Sequence, residues 1–344
     1  MIKTLTSWRG IFALCIVCFH FAMHEFDQMT YAGVTFFFML SGFLVTYKHE
    51  TLNSVKSFYS RRLWRIFPLH WLVLVAMILL DLAVIHRFHY GWDLPLHVTL
   101  LQSWIPYKSI HYNYSIHSWF LSSLMFCVLA TPLLLKVIKK LRLKMVLVLA
   151  LVACAIVIVL NTVPLGFDTS YCYVCPLTRL VDYALGMVLG VVVRKLQAVA
   201  TRQYSLAKAS FVELCVLMAL TSCVAIHASG NFIAVKLENS PLWWIPVAAI
   251  IFASAMLNGQ EGVVGKVLKL RPLVWLGEIS FEVYLLQKLV NNAFCYLVAP
   301  LFGHYGIMIY DYSFACTLPL LIVTAWAVNR LLSFTIAKRL APRP

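Results

Sequence analysis

The chain has 344 residues, is 62% hydrophobic and 12% charged, and carries a net charge of +15, with a mean hydropathy of +0.85. A soluble domain holds roughly twice that charged share, so a water-soluble globule is excluded, and residues 1–344 read as one integral-membrane domain without a soluble appendage. Nucleic acid, a common partner of strongly basic chains, is excluded by distribution: Lys and Arg stand in short clusters between long apolar runs, the pattern of cytoplasmic loops.

Runs long enough to span a bilayer lie near 8–25, 31–47, 66–86, 116–135, 145–163, 176–193, 210–228, 241–257, 273–299 and 313–334. The expected fold is therefore all-α and polytopic, with about ten transmembrane helices. Alternate gaps hold Lys3 and Arg9, then Lys48 to Arg65, Lys136 to Lys144, Arg194 to Lys208, Lys266 to Arg271, and Arg330 to Arg343. They hold 23 basic residues against three (Arg87, Lys108 and Lys236) in the other set. The positive-inside rule then places both termini in the cytoplasm. The first run lacks a small-x-small cleavage site, so no cleaved leader is expected. The gap from about 87 to 116, rich in Tyr, Trp and His, suits an interfacial belt or a lid.

Eight of the ten cysteines lie inside apolar runs, where Cys behaves as a small hydrophobe. Cys172 and Cys175 lie outside them and are expected to be structurally minor.

Polar residues within spans mark cavities or partners. In the first run Arg9 and His20 are eleven residues apart, which returns them to within about 20° on one helix face and separates them by about 16 Å along the axis. His24 continues the stripe. This pattern fits an anion-binding Arg with a deeper titratable base, and equally a snorkelling Arg with a satisfied core His. His20 and His24 also have the i, i+4 spacing of a metal pair, but no third ligand is evident and no metal is expected. Arg61, Arg62 and Arg65 before Pro68 suit a phosphate-bearing ligand or ordinary positive-inside anchoring. Arg179 and Asp182, at i, i+3, can neutralise each other, as a structural or a functional pair. Gly186 and Gly190 follow at the small-xxx-small spacing of close helix packing. Glu282, Gln287 and Lys288 also need partners.

The segments Arg9-Gly10 through His20-Phe21, Phe36 to Leu44 (which includes Ser41), Tyr59 to Pro68, Ser118-Trp119-Phe120-Leu121-Ser122, Arg179 to Gly186, and Leu276 to Leu285 (which includes Tyr284) occur in an order that resembles the acyltransferase 3 family of membrane acyltransferases. The resemblance covers nearly the whole chain. It implies a ten-helix enzyme of a bacterial inner membrane that takes an acyl group, usually acetyl, from acyl-coenzyme A and passes it to a hydroxyl of a cell-surface carbohydrate. Acetyl-coenzyme A would be a donor substrate rather than a bound cofactor. The resemblance makes Arg9 and His20 essential, and makes Arg61, Arg62 and Arg65 candidates for the coenzyme's phosphates. Ser41, Trp119, Arg179, Asp182 and Tyr284 are further site candidates from the matching segments. Many members carry His where Gln287 stands and an acidic pair where this chain has Ser123, Leu124 and Met125, so no role is transferred to those positions.

In this reading His20 is the general base on the acceptor hydroxyl. A transporter or flippase without chemistry is the alternative, although no repeated halves are visible; a scaffold for polysaccharide assembly is a third. The acceptor and the oligomeric state are left open by the sequence.

Overall fold

In a computed structural model, the structure describes residues 2–21, 27–48, 52, 54–85, 91–140, 142–163, 170–199, 203–298, 300–301 and 313–340. They are overwhelmingly helical, with no strand among them. In chain order the helices are α1 (Lys3–His20), α2 (Asp27–Lys48), α3 (Val55–Leu80), α4 (Leu94–Thr99), α5 (Lys108–His111), α6 (Ser118–Lys140), α7 (Leu143–Thr162), α8 (Tyr171–Val174), α9 (Pro176–Val199), α10 (Leu206–Ala228), α11 (Phe232–Lys236), α12 (Trp244–Met256), α13 (Val263–Leu268), α14 (Arg271–Glu278), α15 (Ser280–Ala293) and α16 (Ser313–Leu340). Seven described helices, α2, α3, α6, α7, α9, α10 and α16, are long and apolar enough to cross a membrane.

Three of the apolar runs take other forms. The run expected over 8–25 is an 18-residue helix that starts at Lys3 and ends at His20. That of 241–257 is a turn of 3-10 helix followed by the 13 residues of α12. That of 273–299 is broken at Ile279 into α14 and α15, followed by a π turn at Phe294–Val298. The break has a local cause. The Ser280 hydroxyl donates to the Gly277 carbonyl at 2.9 Å, a side-chain competitor for the helical ladder, and Gly277 is pressed against the Thr6 carbonyl of α1.

Two close helix contacts set the centre. A Cβ on Gly42 would collide with the Tyr183 carbonyl, one on Gly186 with the Met39 carbonyl, and one on Gly190 with Thr46. These glycines let the backbones of α2 and α9 touch. The Thr46 hydroxyl donates across this seam to the Met187 carbonyl at 2.7 Å. Gly10 does the same for α1 against α14. The apolar window of α2 is accordingly 72% buried, against 11% for α10 and 17% for α7 and α16. The last three line the perimeter and present rows of Leu, Val and Ile outward, the surface that lipid covers.

The segment from 91 to 117 is a packed cap and carries no long free loop. Ser122 Oγ donates to the Leu100 carbonyl at 2.7 Å, Ser103 Oγ to the Trp119 carbonyl at 3.0 Å, and the Tyr171 hydroxyl to the Ser103 carbonyl at 3.0 Å. Asp93 accepts from Asn113 at 2.8 Å and from the Tyr114 hydroxyl at 3.2 Å. His97 is fully buried, and its Nε2 lies 2.9 Å from the Ile110 carbonyl. Cys172 and Cys175 are free thiols.

Candidate active site

A cavity of about 150 Å³ opens among α1, α2, α3, α6 and α15. Its lining includes Arg9, Ser41, Arg62, Arg65 and Tyr284, all singled out from the sequence, with Phe37, Leu40, Leu44, Ile66, Phe120, Leu124, Ser280 and Phe281 completing it. Each cation arrives from a different constraint. Arg9 is carried in the second turn of α1, whose close contact with α14 leaves no room for a side chain at Gly10. Arg62 and Arg65 are one turn apart on α3, whose start is capped by Ser54 Oγ accepting from the Ser57 amide at 3.2 Å. Arg62 also lies 5.5 Å above the Phe58 ring.

Three guanidinium groups around one cavity have the charge and the donor number to hold an anion. The carboxylates acting on Arg9 are Glu282 and Glu278. Glu282 is held by α16, with Asn329 Nδ2 donating to its Oε1 at 2.9 Å. Ser41 donates to the Phe37 carbonyl of its own helix at 2.7 Å, so its oxygen keeps acceptor capacity toward the cavity. Arg61 does not join them. It is exposed, absent from the cavity lining, and donates to Ser57 Oγ at 3.1 Å.

His20 is not in the cavity wall. It is the last residue of α1 and exposed, where the sequence suggests a position deep in the span. The earlier start of the helix explains the difference, since the same eleven-residue spacing now reaches from the second turn to the end. Its ring meets that of His117 edge to face, with centroids 4.4 Å apart. His117 in turn lies 5.5 Å from the Tyr284 ring, which lies 5.2 Å from Phe120. The Tyr284 hydroxyl donates to the His117 carbonyl at 3.3 Å. Tyr284, with Phe120 packed against it, thus lines the arginine cavity on one side and touches the His117 ring on the other. His117 was missed from sequence, although it stands next to the Ser118-Trp119 segment. His24 lies outside the described residues.

Arg179 and Asp182 form a separate, fully buried knot. Arg179 donates from Nε to the Tyr173 carbonyl at 2.6 Å, from Nη1 to Asp182 and to Ser240 Oγ at 2.8 Å each, and from Nη2 to the Asn239 carbonyl at 2.5 Å. Asp182 also accepts from Trp244 Nε1 at 2.6 Å and from Ser240. Tyr173 and Trp119 flank the guanidinium at 4.8 and 6.0 Å. Four of the five guanidinium N–H groups and both carboxylate oxygens are engaged, the kind of satisfaction a buried pair needs. The knot ties α9 to the 239–244 segment, and neither it nor Trp119 borders the cavity. Among the described residues no cluster of three or more His, Cys, Asp or Glu could hold a metal ion.

Comparison with known proteins places this architecture. A family model described as an acyltransferase domain matches residues 2–333. The acyltransferase MdmB of Streptomyces mycarofaciens is 28% identical over 224 residues, which cover 56% of this chain and 58% of that protein. No solved structure matches.

Proposed function

Because the chain belongs to the acyltransferase 3 family and is an all-helical protein with several membrane-length apolar helices, we propose that it moves an acyl group, in the simplest case acetyl, from acyl-coenzyme A to a hydroxyl of a cell-surface carbohydrate or its lipid-linked precursor. The observation that supports this most directly is the meeting of Arg9, Arg62 and Arg65 on one cavity. The donor's phosphates occupy the arginine rim and its pantetheine arm enters between Phe37, Leu40 and Phe120. The remaining runs complete ten crossings when α1, α12 with its preceding turn, and the broken α14–α15 pair are counted with the seven long helices. Both termini then face the cytoplasm of a bacterial inner membrane, in a single domain spanning 1–344.

In this orientation the arginines stand on the side where acyl-coenzyme A is made. His20, about 16 Å further along α1, receives the acceptor from the other side. It removes the hydroxyl proton as the oxygen attacks the thioester carbonyl, a role that raises the rate about 10²–10⁴-fold. The test is coenzyme A release by purified protein given acetyl-coenzyme A and a membrane glycan fraction. His20→Ala should lose turnover by that factor while keeping its size-exclusion profile. Wild-type turnover in folded His20→Ala protein would remove the base, and no acyl transfer from any acyl-coenzyme A by the wild type would remove the donor assignment.

A further inference from the structure

His117 sits where the cap joins α6 and is 2% exposed. Neither of its ring nitrogens has a hydrogen-bond partner among the described residues. Leaving such a buried group unsatisfied is costly, and a Phe of similar shape would fill the space without that cost. A packing role therefore does not account for an imidazole here. A buried imidazole without an acidic partner among the described residues is held as the neutral ring, with one N–H to donate and one lone pair. Its neighbours are the His20 ring on one side and Tyr284 of the cavity wall on the other.

We propose that His117 is a second catalytic imidazole, which donates a hydrogen bond to the thioester carbonyl oxygen while His20 acts on the acceptor hydroxyl. This rests on the reading of His20 as the base. The acceptor oxygen bonds to the carbonyl carbon and His20 takes its proton. Negative charge gathers on the carbonyl oxygen, where the His117 N–H meets it. The intermediate then collapses, the carbon–sulfur bond breaks, and His20 returns the proton to the departing thiolate. The products are the acyl ester and coenzyme A with its thiol, and His117 ends as it began. A donor held in place before the reaction is well placed to stabilise an oxyanion. The thioester reaches it past Tyr284, whose hydroxyl is held by a single long hydrogen bond.

The test compares His117→Phe, His117→Gln and His20→Ala by steady-state kinetics. His117→Phe keeps the shape and loses the donor, and its kcat should fall by about 10²–10³-fold with donor KM within about twofold. His117→Gln restores an N–H and should recover about tenfold or more of that loss. The pH at which activity falls on acidification should stay in place in both, because His20 remains the base. Wild-type kcat in folded His117→Phe, a rise in KM in place of a fall in kcat, or equal turnover of the Phe and Gln proteins would overturn the proposal. Should the Phe protein fail to fold, His117→Met against His117→Gln makes the same comparison of no donor with donor, and equal turnover overturns it. Loss in His20→Ala together with wild-type His117→Phe defeats the assignment of His117 alone, whereas wild-type His20→Ala defeats the base reading as well.

Discussion

Arg61 and Arg65 are about 40° apart on a helix and Arg62 and Arg65 about 60°, so the sequence gives no ground for separating the three. The cavity does. Arg62 and Arg65 line it while Arg61 turns to Ser57 on the exposed side. Arg65→Ala should therefore raise the donor KM, by about 10–100-fold if one charge-assisted contact is lost, and lower kcat much less. Arg61→Ala should leave both constants near wild type. Steady-state kinetics over a range of acetyl-coenzyme A checks this, and an equal effect of the two substitutions would show that the cluster acts through its summed charge. The Arg179–Asp182 pair illustrates the opposite outcome at this scale. Spacing alone leaves a structural and a functional pair equally open, and the hydrogen bonds with Tyr173, Asn239, Ser240 and Trp244 that enclose the two charges give them an evident structural task.

At the level of elements, the α2–α9 contact depends on the absence of side chains at Gly42, Gly186 and Gly190. Gly42→Ala puts a methyl group into the Tyr183 carbonyl, which backbone cannot evade by changing a rotamer. It should destabilise by at least the 1–3 kcal/mol typical of overpacking. Gly230→Ala makes a useful contrast: φ is +71° and nothing lies within 4 Å of an added Cβ, so only about 1 kcal/mol of backbone strain is expected. Melting temperatures in one detergent should rank wild type, Gly230→Ala and Gly42→Ala in that order. The small-xxx-small spacing of Gly186 and Gly190 was legible in the sequence because helix periodicity alone aligns residues four apart. Gly42 gave no such signal, since its need arises from the partner helix. The same holds for the break at Ile279. Gly277, Glu278 and Ser280 stand at the break, but the run around them is long enough for one span, and what interrupts the helix is the Ser280 hydroxyl together with pressure from Thr6 on α1.

For the molecule as a whole, helical character and the apolar runs could be read from hydropathy because lipid imposes a length and a composition on any crossing segment. The folding of the 91–117 segment could not. Its aromatic and polar content fits a belt or a lid equally well, and the difference lies in long-range hydrogen bonds from Ser103, Ser122 and Tyr171. His117 owes its position to that cap, which is why its neighbours in sequence gave so little sign of it. The cap also makes the protein sensitive to acid. Burial, opposed by the Ile110 carbonyl and by Asp93, lowers the His97 pKa to about 4, against about 6.5 when unfolded. The unfolded chain then binds more protons between these values, so stability is full above about pH 6.5 and declines as pH falls toward 4. The loss is on the order of 3 kcal/mol when complete. Melting temperature should drop between pH 7 and pH 5 in the wild type, and less in His97→Gln, which keeps a donor for Ile110. A flat profile in the wild type would show that the cap opens to water.

Tyr284, packed on Phe120, is a single aromatic layer between the arginine-lined cavity and the His117 ring. In the proposed reaction, with donor and acceptor arriving from opposite faces of the bilayer, that layer would act as an insulator across which a bond is exchanged. Coenzyme A and the acceptor would then keep to their own sides, and only the thioester end of the donor would pass Tyr284. A protein built this way would decorate the exterior from an interior pool of thioester without opening a continuous path for ions.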